Sequence, residues 1–476
     1  MATNHRSRRE FIRLAAGTTV LAGSTPLIGG ARELASSTAG QAAGAGASAN
    51  DKIQIALIGA GGQGMGDTRV ALTTPGVEIV AAADIYDGRL TRAKELWGPQ
   101  VFTSRDYREV LARQDVDAVI IATPDHWHQK IAIDAMNAGK DVYLEKPMVQ
   151  HAEEGAAIIE AANKTKRIIQ IGSQRVSSVI YEKARQLYQS GAVGQLNLVE
   201  AYTNRNSAMG AWQYTIPPDA SPQNIDWDRF LGNAPKRPFE PVRLFRWRNY
   251  QDYGTGVGGD LFVHLFSGIH YVLNSNGPTR ILATGGIRYW NDGRDVPDVM
   301  LAIFDYPKTA SHPAFNLFLK INFAAGGGEE SRFQFVGDEG TLTIGQVAGG
   351  NGCSIQKSKR PADPGLTIGT FPEALQKQIT AEHRKKYPEA RAEMRPSDLE
   401  SFVAPRDYND SYDHFVTFFN AVRSRKPVVE DAVFGLRAAG PAVLANVSYF
   451  EQRPVVWDPE KMKVGASEGT RSAAVR

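Results

Sequence analysis

Short apolar runs ending in glycine or polar residues dominate the chain from residue 53 onward. Ile53-Gln54-Ile55-Ala56-Leu57-Ile58 and Val77-Glu78-Ile79-Val80-Ala81-Ala82-Ala83 each read as a strand, as do the runs 118–122, 141–144 and 167–171. Helical patterns lie between them, for example over 129–138 and 152–163. Strands this short and this apolar, alternating with helices, predict a parallel sheet covered on both faces, the doubly wound α/β arrangement.

The pattern changes after residue 172. It predicts a helix over 179–189, a strand over 196–203 and an aromatic-rich loop over 204–253. A helix over 260–273 and strands over 281–289, 299–306 and 316–323 follow. Strands at 333–336 and 341–344 flank Gly337-Asp338-Glu339-Gly340, a hairpin signal. Strands in succession predict an α+β domain with a mostly antiparallel open sheet. The polar, Pro-rich stretch 350–405 reads as irregular, and an amphipathic helix is expected over 412–424. The division is therefore 1–50, 51–172 for the doubly wound domain, 173–458 for the α+β domain, and 459–476 as a disordered tail.

Residues 1–50 do not read as fold. Arg8-Arg9 precede a mildly apolar run and then an Ala/Gly/Ser-rich stretch, the pattern of a twin-arginine signal peptide. Export to the periplasm and a transient partnership with the twin-arginine machinery are the expectation. The run is too weakly apolar for a membrane anchor, since a spanning helix needs about 20 strongly apolar residues. These fifty residues hold five arginines and two glutamates, and without them basic and acidic residues balance. Nothing in the charge calls for a nucleic acid. The single cysteine, Cys353, leaves no partner for an intrachain disulfide.

Gly59-Ala60-Gly61-Gly62-Gln63-Gly64 fits G-x-G-x-x-G. Glycine is common here, with 46 residues, so the pattern alone carries little. Its context carries more: it follows a strand, opens a helix, and Asp84 ends the next strand. Glycines let backbone approach a pyrophosphate, and the helix N-terminus offers free amides. Asp84 would accept hydrogen bonds from ribose hydroxyls and repel a 2′-phosphate, so NAD is expected in preference to NADP.

Ala122-Thr123-Pro124-Asp125-His126-Trp127-His128 after the third predicted strand and Glu145-Lys146-Pro147 after the fourth add a family likeness. With the glycine loop, they resemble the glucose–fructose oxidoreductase/inositol dehydrogenase (Gfo/Idh/MocA) family over most of residues 52–458. The segments Trp227-Asp228-Arg229-Phe230-Leu231-Gly232, Phe245-Arg246-Trp247-Arg248, Asp252-Tyr253-Gly254 and Ser424-Arg425-Lys426-Pro427 look like its exported bacterial subgroup. The resemblance implies an NAD-dependent oxidoreductase and a homo-oligomer. It places Thr123, Pro124, His128, Glu145 and Gln174 with the glycine loop around the cofactor. Arg175, Trp247, Arg248 and Tyr253 would face the substrate.

The resemblance also implies a catalytic set of Lys146 with Asp260-Leu261-Phe262-Val263-His264. Spacing of four puts Asp260 and His264 on one helical face, which Ser267 and Tyr271 continue. Imidazole titrates near neutral pH, so His264 suits a general base, and the Lys146 cation would favour a developing alkoxide. Many relatives have glycine and a second acid where this chain has Phe262 and Ser267, which implies a narrower, less polar pocket. His270 is expected to be structural. Asp125, His126 and His128 are not taken as a metal site. The expected reaction is oxidation of a secondary hydroxyl of a sugar, glycoside or polyol. The alternatives are glycoside cleavage through a transient ketone with NAD retained, and carbohydrate binding without turnover.

Overall fold

The computed structural model describes residues 52–357, 365–386 and 399–465. The signal-like segment and residues 466–476 of the expected tail lie outside the described residues. Six parallel strands form the first sheet: β1 (Ile53–Ile58), β2 (Val77–Ala83), β3 (Phe102–Ser104), β4 (Ala118–Ile121), β5 (Asp141–Glu145) and β6 (Ile169–Gly172). Their order is β3-β2-β1-β4-β5-β6. Strands β1 and β4 are therefore neighbours whose connections run to opposite sides, and the crevice between their C-terminal ends is where such a sheet takes a ligand. The edge strand β3 had no sequence signal, being three half-buried residues.

The second sheet has ten strands. They are β7 (Leu196–Asn204), β8 (Arg280–Gly286), β9 (Val299–Tyr306), β10 (Phe315–Asn322), β11 (Glu330–Gly337), β12 (Gly340–Val347), β13 (Gly350–Lys357), β14 (Leu399–Val403), β15 (Val455–Asp458) and β16 (Lys463–Val464). The order is β14-β13-β12-β11-β7-β10-β9-β8-β15-β16. The β7–β10 pair is parallel and the other pairings are antiparallel. Buried residues alternate along β9 and β10, and the buried face packs under the helices Val179–Gln189, Val263–Leu273 and Ala432–Glu451. The β11–β12 hairpin pairs Phe333 with Ile344 around the predicted turn.

Two expectations fail. Residues 350–405 are not irregular throughout: they hold β13, the helix Glu373–Lys386 and β14. The twenty-residue helix Ala432–Glu451 has no counterpart in the predicted elements, because Pro441 and two glycines interrupt its pattern. The division at residue 172 does not follow the packing either. Phe415, Phe418 and Phe419, on the helix Asp410–Ser424, are buried in one cluster with Ile55, Leu57, Ile120 and Tyr143 of the first sheet. Phe415 stacks on Tyr143 with ring centroids 4.3 Å apart. Gln170 Nε2 donates to the His414 carbonyl, and Arg425 pairs with Asp141 at 2.6 Å. A C-terminal helix thus completes the N-terminal domain.

Phe415→Ala should destabilise the doubly wound domain by about 3–5 kcal/mol, the usual cost of emptying a buried aromatic site. Urea denaturation checks this, and a loss below about 1 kcal/mol would contradict the shared core.

Candidate active site

The crevice between β1 and β4 is a cleft of about 560 Å³. Gly59, Gly61, Gly62 and Gln63 line it after β1, Asp84 after β2, and Thr123 and Pro124 after β4. Gly59 has φ +95°, and a Cβ there would sit 2.7 Å from the Ala122 carbonyl carbon, so only glycine lets these strand ends close up. A Cβ on Gly62 would meet nothing within 4 Å. The helix Gly62–Ala71 starts there with no side-chain cap, which leaves its first amides free for an anion. Gly64 turns inward, where a Cβ would overlap the Gly59 carbonyl. This donor set fits a dinucleotide.

Asp84 Oδ1 accepts from the Tyr86 amide at 3.0 Å. Its Oδ2 faces Arg89 Nη1 at 3.4 Å, and the Arg89 guanidinium lies over the Phe245 ring. Arg89 and Phe245 line the cleft without having carried a motif that marked them as cofactor contacts.

A second cavity, of about 300 Å³, brings Lys146, Asp260 and His264 together. Gln63 and Arg248 line both cavities, so the two adjoin. Lys146 Nζ donates to Asp260 Oδ1 at 2.9 Å and to the Asp260 carbonyl at 3.3 Å, and Arg248 Nε donates to the same Oδ1 at 3.1 Å. Burial alone would raise the Asp260 carboxyl, but Lys146 and then Arg248 outweigh it and hold it far below the usual range. His264 is pushed down as well, which for an imidazole favours the neutral form. Burial, then the Lys146 and Arg175 charges, hold its imidazole well below the ordinary value, against an opposing pull from Asp260. It is therefore a neutral base at physiological pH, and its buried Nδ1 has no hydrogen-bond partner among the described residues.

The α-spacing argument for Asp260 and His264 is corrected. Gly258–Phe262 form a π-turn, and the long α-helical stretch runs from Val263. Gly259 lies against the Thr255 side chain, where a Cβ would collide. This wider turn, next to two glycines, presents both side chains to the cavity.

Glu145 and Gln174 line this second cavity, beside Lys146 rather than the glycine-loop cleft. Burial raises the Glu145 carboxyl to about 7, against the pull of Lys146. It hydrogen-bonds Asp67, which burial and then the Glu145 charge raise well above its ordinary value. Asp67 Oδ2 and Glu145 Oε1 are buried without another donor, so a proton held between them, resting on Asp67, satisfies both. Gln63 Nε2 donates to Asp67 Oδ1 at 2.9 Å, which ties this pair to the glycine loop.

Other expected residues lie elsewhere. His128 is fully buried behind the cleft wall, with Nδ1 2.7 Å from the Pro147 carbonyl and Nε2 2.9 Å from that of Thr123. It fastens the loop after β4 to the loop after β5 and does not itself line the cleft. Tyr253 is fully buried against Phe230 and His126 and reaches neither cavity. Trp247 lines the dinucleotide cleft. Arg175 lines a neighbouring cavity, with its guanidinium over the Tyr181 ring.

Phe262 and Ser267 do not narrow the pocket. Phe262 packs edge-on against Phe304, and Ser267 accepts from Ser173 and donates to Glu430, each at 2.8 Å. Tyr271 donates to Glu182 at 2.7 Å. Asp125 Oδ2 accepts from the Thr255 amide and hydroxyl, and both His126 nitrogens face backbone carbonyls. His270 bonds Tyr306. Arg205, Trp212 and Tyr214 line the second cavity unanticipated, because they come from a stretch without periodicity.

Fold and cleft define a two-domain dinucleotide-binding protein. Residues 53–173 match the NAD-binding Rossmann-fold model of the Gfo/Idh/MocA oxidoreductase family, and residues 183–283 match its C-terminal α/β domain. Over these two segments, just under half of its length, the chain is similar to that family. It is 32% identical over 188 residues to an inositol 2-dehydrogenase of Salmonella paratyphi B, covering 39% of this chain and 51% of that one. It is 36% identical over 123 residues to an alpha-N-acetylgalactosaminidase of Shewanella oneidensis, covering 24% of this chain and 27% of that one. The chain thus spans about half or less of these relatives' lengths. Aldose-aldose oxidoreductase from Caulobacter crescentus shares the fold, with a TM-score of 0.59 at 15% identity over 85% of this chain and 99% of that one.

His264 should remain neutral well below pH 6.5 in a nitrogen NMR titration of the folded protein. Protonation at or above that value would contradict the burial and charge argument.

Proposed function

We propose that the chain oxidises a secondary hydroxyl of a sugar, glycoside or polyol. The observation that carries this is the gathering of Lys146, Asp260 and His264 in a cavity that adjoins the glycine-loop cleft. NAD, when bound there, supplies the hydride acceptor. The uncapped helix start at Gly62 would hold the pyrophosphate, and Asp84 the ribose hydroxyls. His264, neutral and unpartnered at Nδ1, takes the hydroxyl proton. Lys146 steadies the alkoxide that develops, and Asp260 fixes the ammonium in place.

A second reading rests on the likeness to the galactosaminidase. The same groups would oxidise a hydroxyl of a glycoside transiently and acidify the neighbouring C–H, so that the aglycone is eliminated, water adds in its place and the hydride is returned. Net NADH formation separates the two readings, since only the first accumulates it. Export through the Arg8-Arg9 signal belongs to the proposal and suits an enzyme that folds around its cofactor before leaving the cytoplasm.

His264→Ala should lower turnover roughly 10²–10⁴-fold, the usual contribution of a positioned general base. NAD affinity should stay near that of the wild type, as calorimetry would show, because His264 does not line the dinucleotide cleft. A variant that turns over normally would overturn the assignment. Replacing Arg8 and Arg9 by lysine should leave the protein in the cytoplasm, by fractionation of cells. Unchanged export would rule out the twin-arginine route.

A further inference from the structure

We infer that the carbohydrate this site takes carries a carboxylate, seated between the free edges of Arg205 and Arg248. The inference rests on reading the second cavity as a carbohydrate site. Three cations, Lys146, Arg205 and Arg248, line that cavity. The ionised carboxylate among its lining residues, Asp260, is already shared by Lys146 and Arg248. The other acid, Glu145, shares one proton with Asp67, and even with Glu145 counted as ionised the lining holds three cations against two carboxylates. The wall therefore carries a surplus of positive charge that a neutral polyol would leave uncompensated.

The donors are also in place. Arg248 uses only Nε on Asp260, and its guanidinium rests over the Trp247 ring, 4.2 Å from the centroid. No described residue accepts from its terminal Nη groups. Arg205 gives Nη1 to the Gly210 carbonyl at 2.9 Å, which leaves Nε and Nη2 unused among the described residues. Asp260 and Glu329 are the acids whose charges reach Arg205, and Glu329 is exposed and bound to the Ser207 hydroxyl, outside the cavity lining.

A guanidinium held over an aromatic ring with its Nη groups unused presents a fork that matches a planar carboxylate. A phosphate would bring up to two negative charges close to Asp260, where only part of the cationic surplus is free. The single charge of a carboxylate suits the site better, and its hydroxyl-bearing chain would then extend toward Lys146 and His264.

Calorimetry on the NAD-loaded protein, comparing glucose, glucuronate, gluconate and glucose 6-phosphate, tests this directly. Glucuronate or gluconate should bind at least about tenfold more tightly than glucose, and added salt should weaken that preference. Arg205→Gln should remove most of the preference. Equal binding of neutral and carboxylated sugars by the wild type would overturn the inference, and so would tightest binding of the phosphate. Neither result bears on the proposed oxidation, which is read separately as NADH formed from each sugar. A carboxylate preference without NADH from any sugar would sustain the binding inference while counting against the oxidation reading.

Discussion

The ion pair between Lys146 and Asp260 is the interaction on which the site depends. Lys146 leaves the C-terminal end of β5 in the first sheet, and Asp260 sits in the π-turn that opens a helix packed on the second. Both side chains are almost wholly buried. Removing one partner of such a pair commonly costs about 3–5 kcal/mol, because the other charge is stranded. Two elements that lie more than a hundred residues apart are thereby fixed within one hydrogen bond of each other, in the cavity that adjoins the dinucleotide cleft.

That constraint sets the protonation of its surroundings. With two cations against it, Asp260 stays ionised despite burial, and the same Lys146 charge helps keep His264 neutral. On the other side of Lys146, burial and then the Glu145 charge outweigh Gln63 and Lys146 and leave Asp67 holding a proton against Glu145. Within a small volume the site thus contains a charged carboxylate, a neutral imidazole and a carboxyl pair that shares a proton. Such divergence among neighbouring groups is how one fold assigns acid and base roles near neutral pH.

Much of this was legible in the sequence. Gly59, Gly61 and Gly62 are readable because the glycine pattern follows an apolar strand and opens a helix, and Lys146 because Glu-Lys-Pro follows another. The first sheet is readable because buried parallel strands are short and uniformly apolar. The covering of that sheet by Phe415, Phe418 and Phe419 was not, since an apolar helix face does not name the domain it joins. His128 and Tyr253 show another limit: a residue beside a functional loop can brace it from behind, and spacing cannot tell the two sides apart. Arg205 and Tyr214 escaped because aperiodic loops place side chains through contacts remote in sequence.

The central claim is that Lys146 and Asp260 act as one unit, and a double-mutant cycle on the rate of NAD reduction in a single turnover tests it most directly. Lys146→Met and Asp260→Asn should each slow that step by roughly 10²-fold or more, and the double variant should be no slower than the worse single one. Slowing in the double variant equal to the product of the two separate effects would show that the residues act independently and would contradict the account.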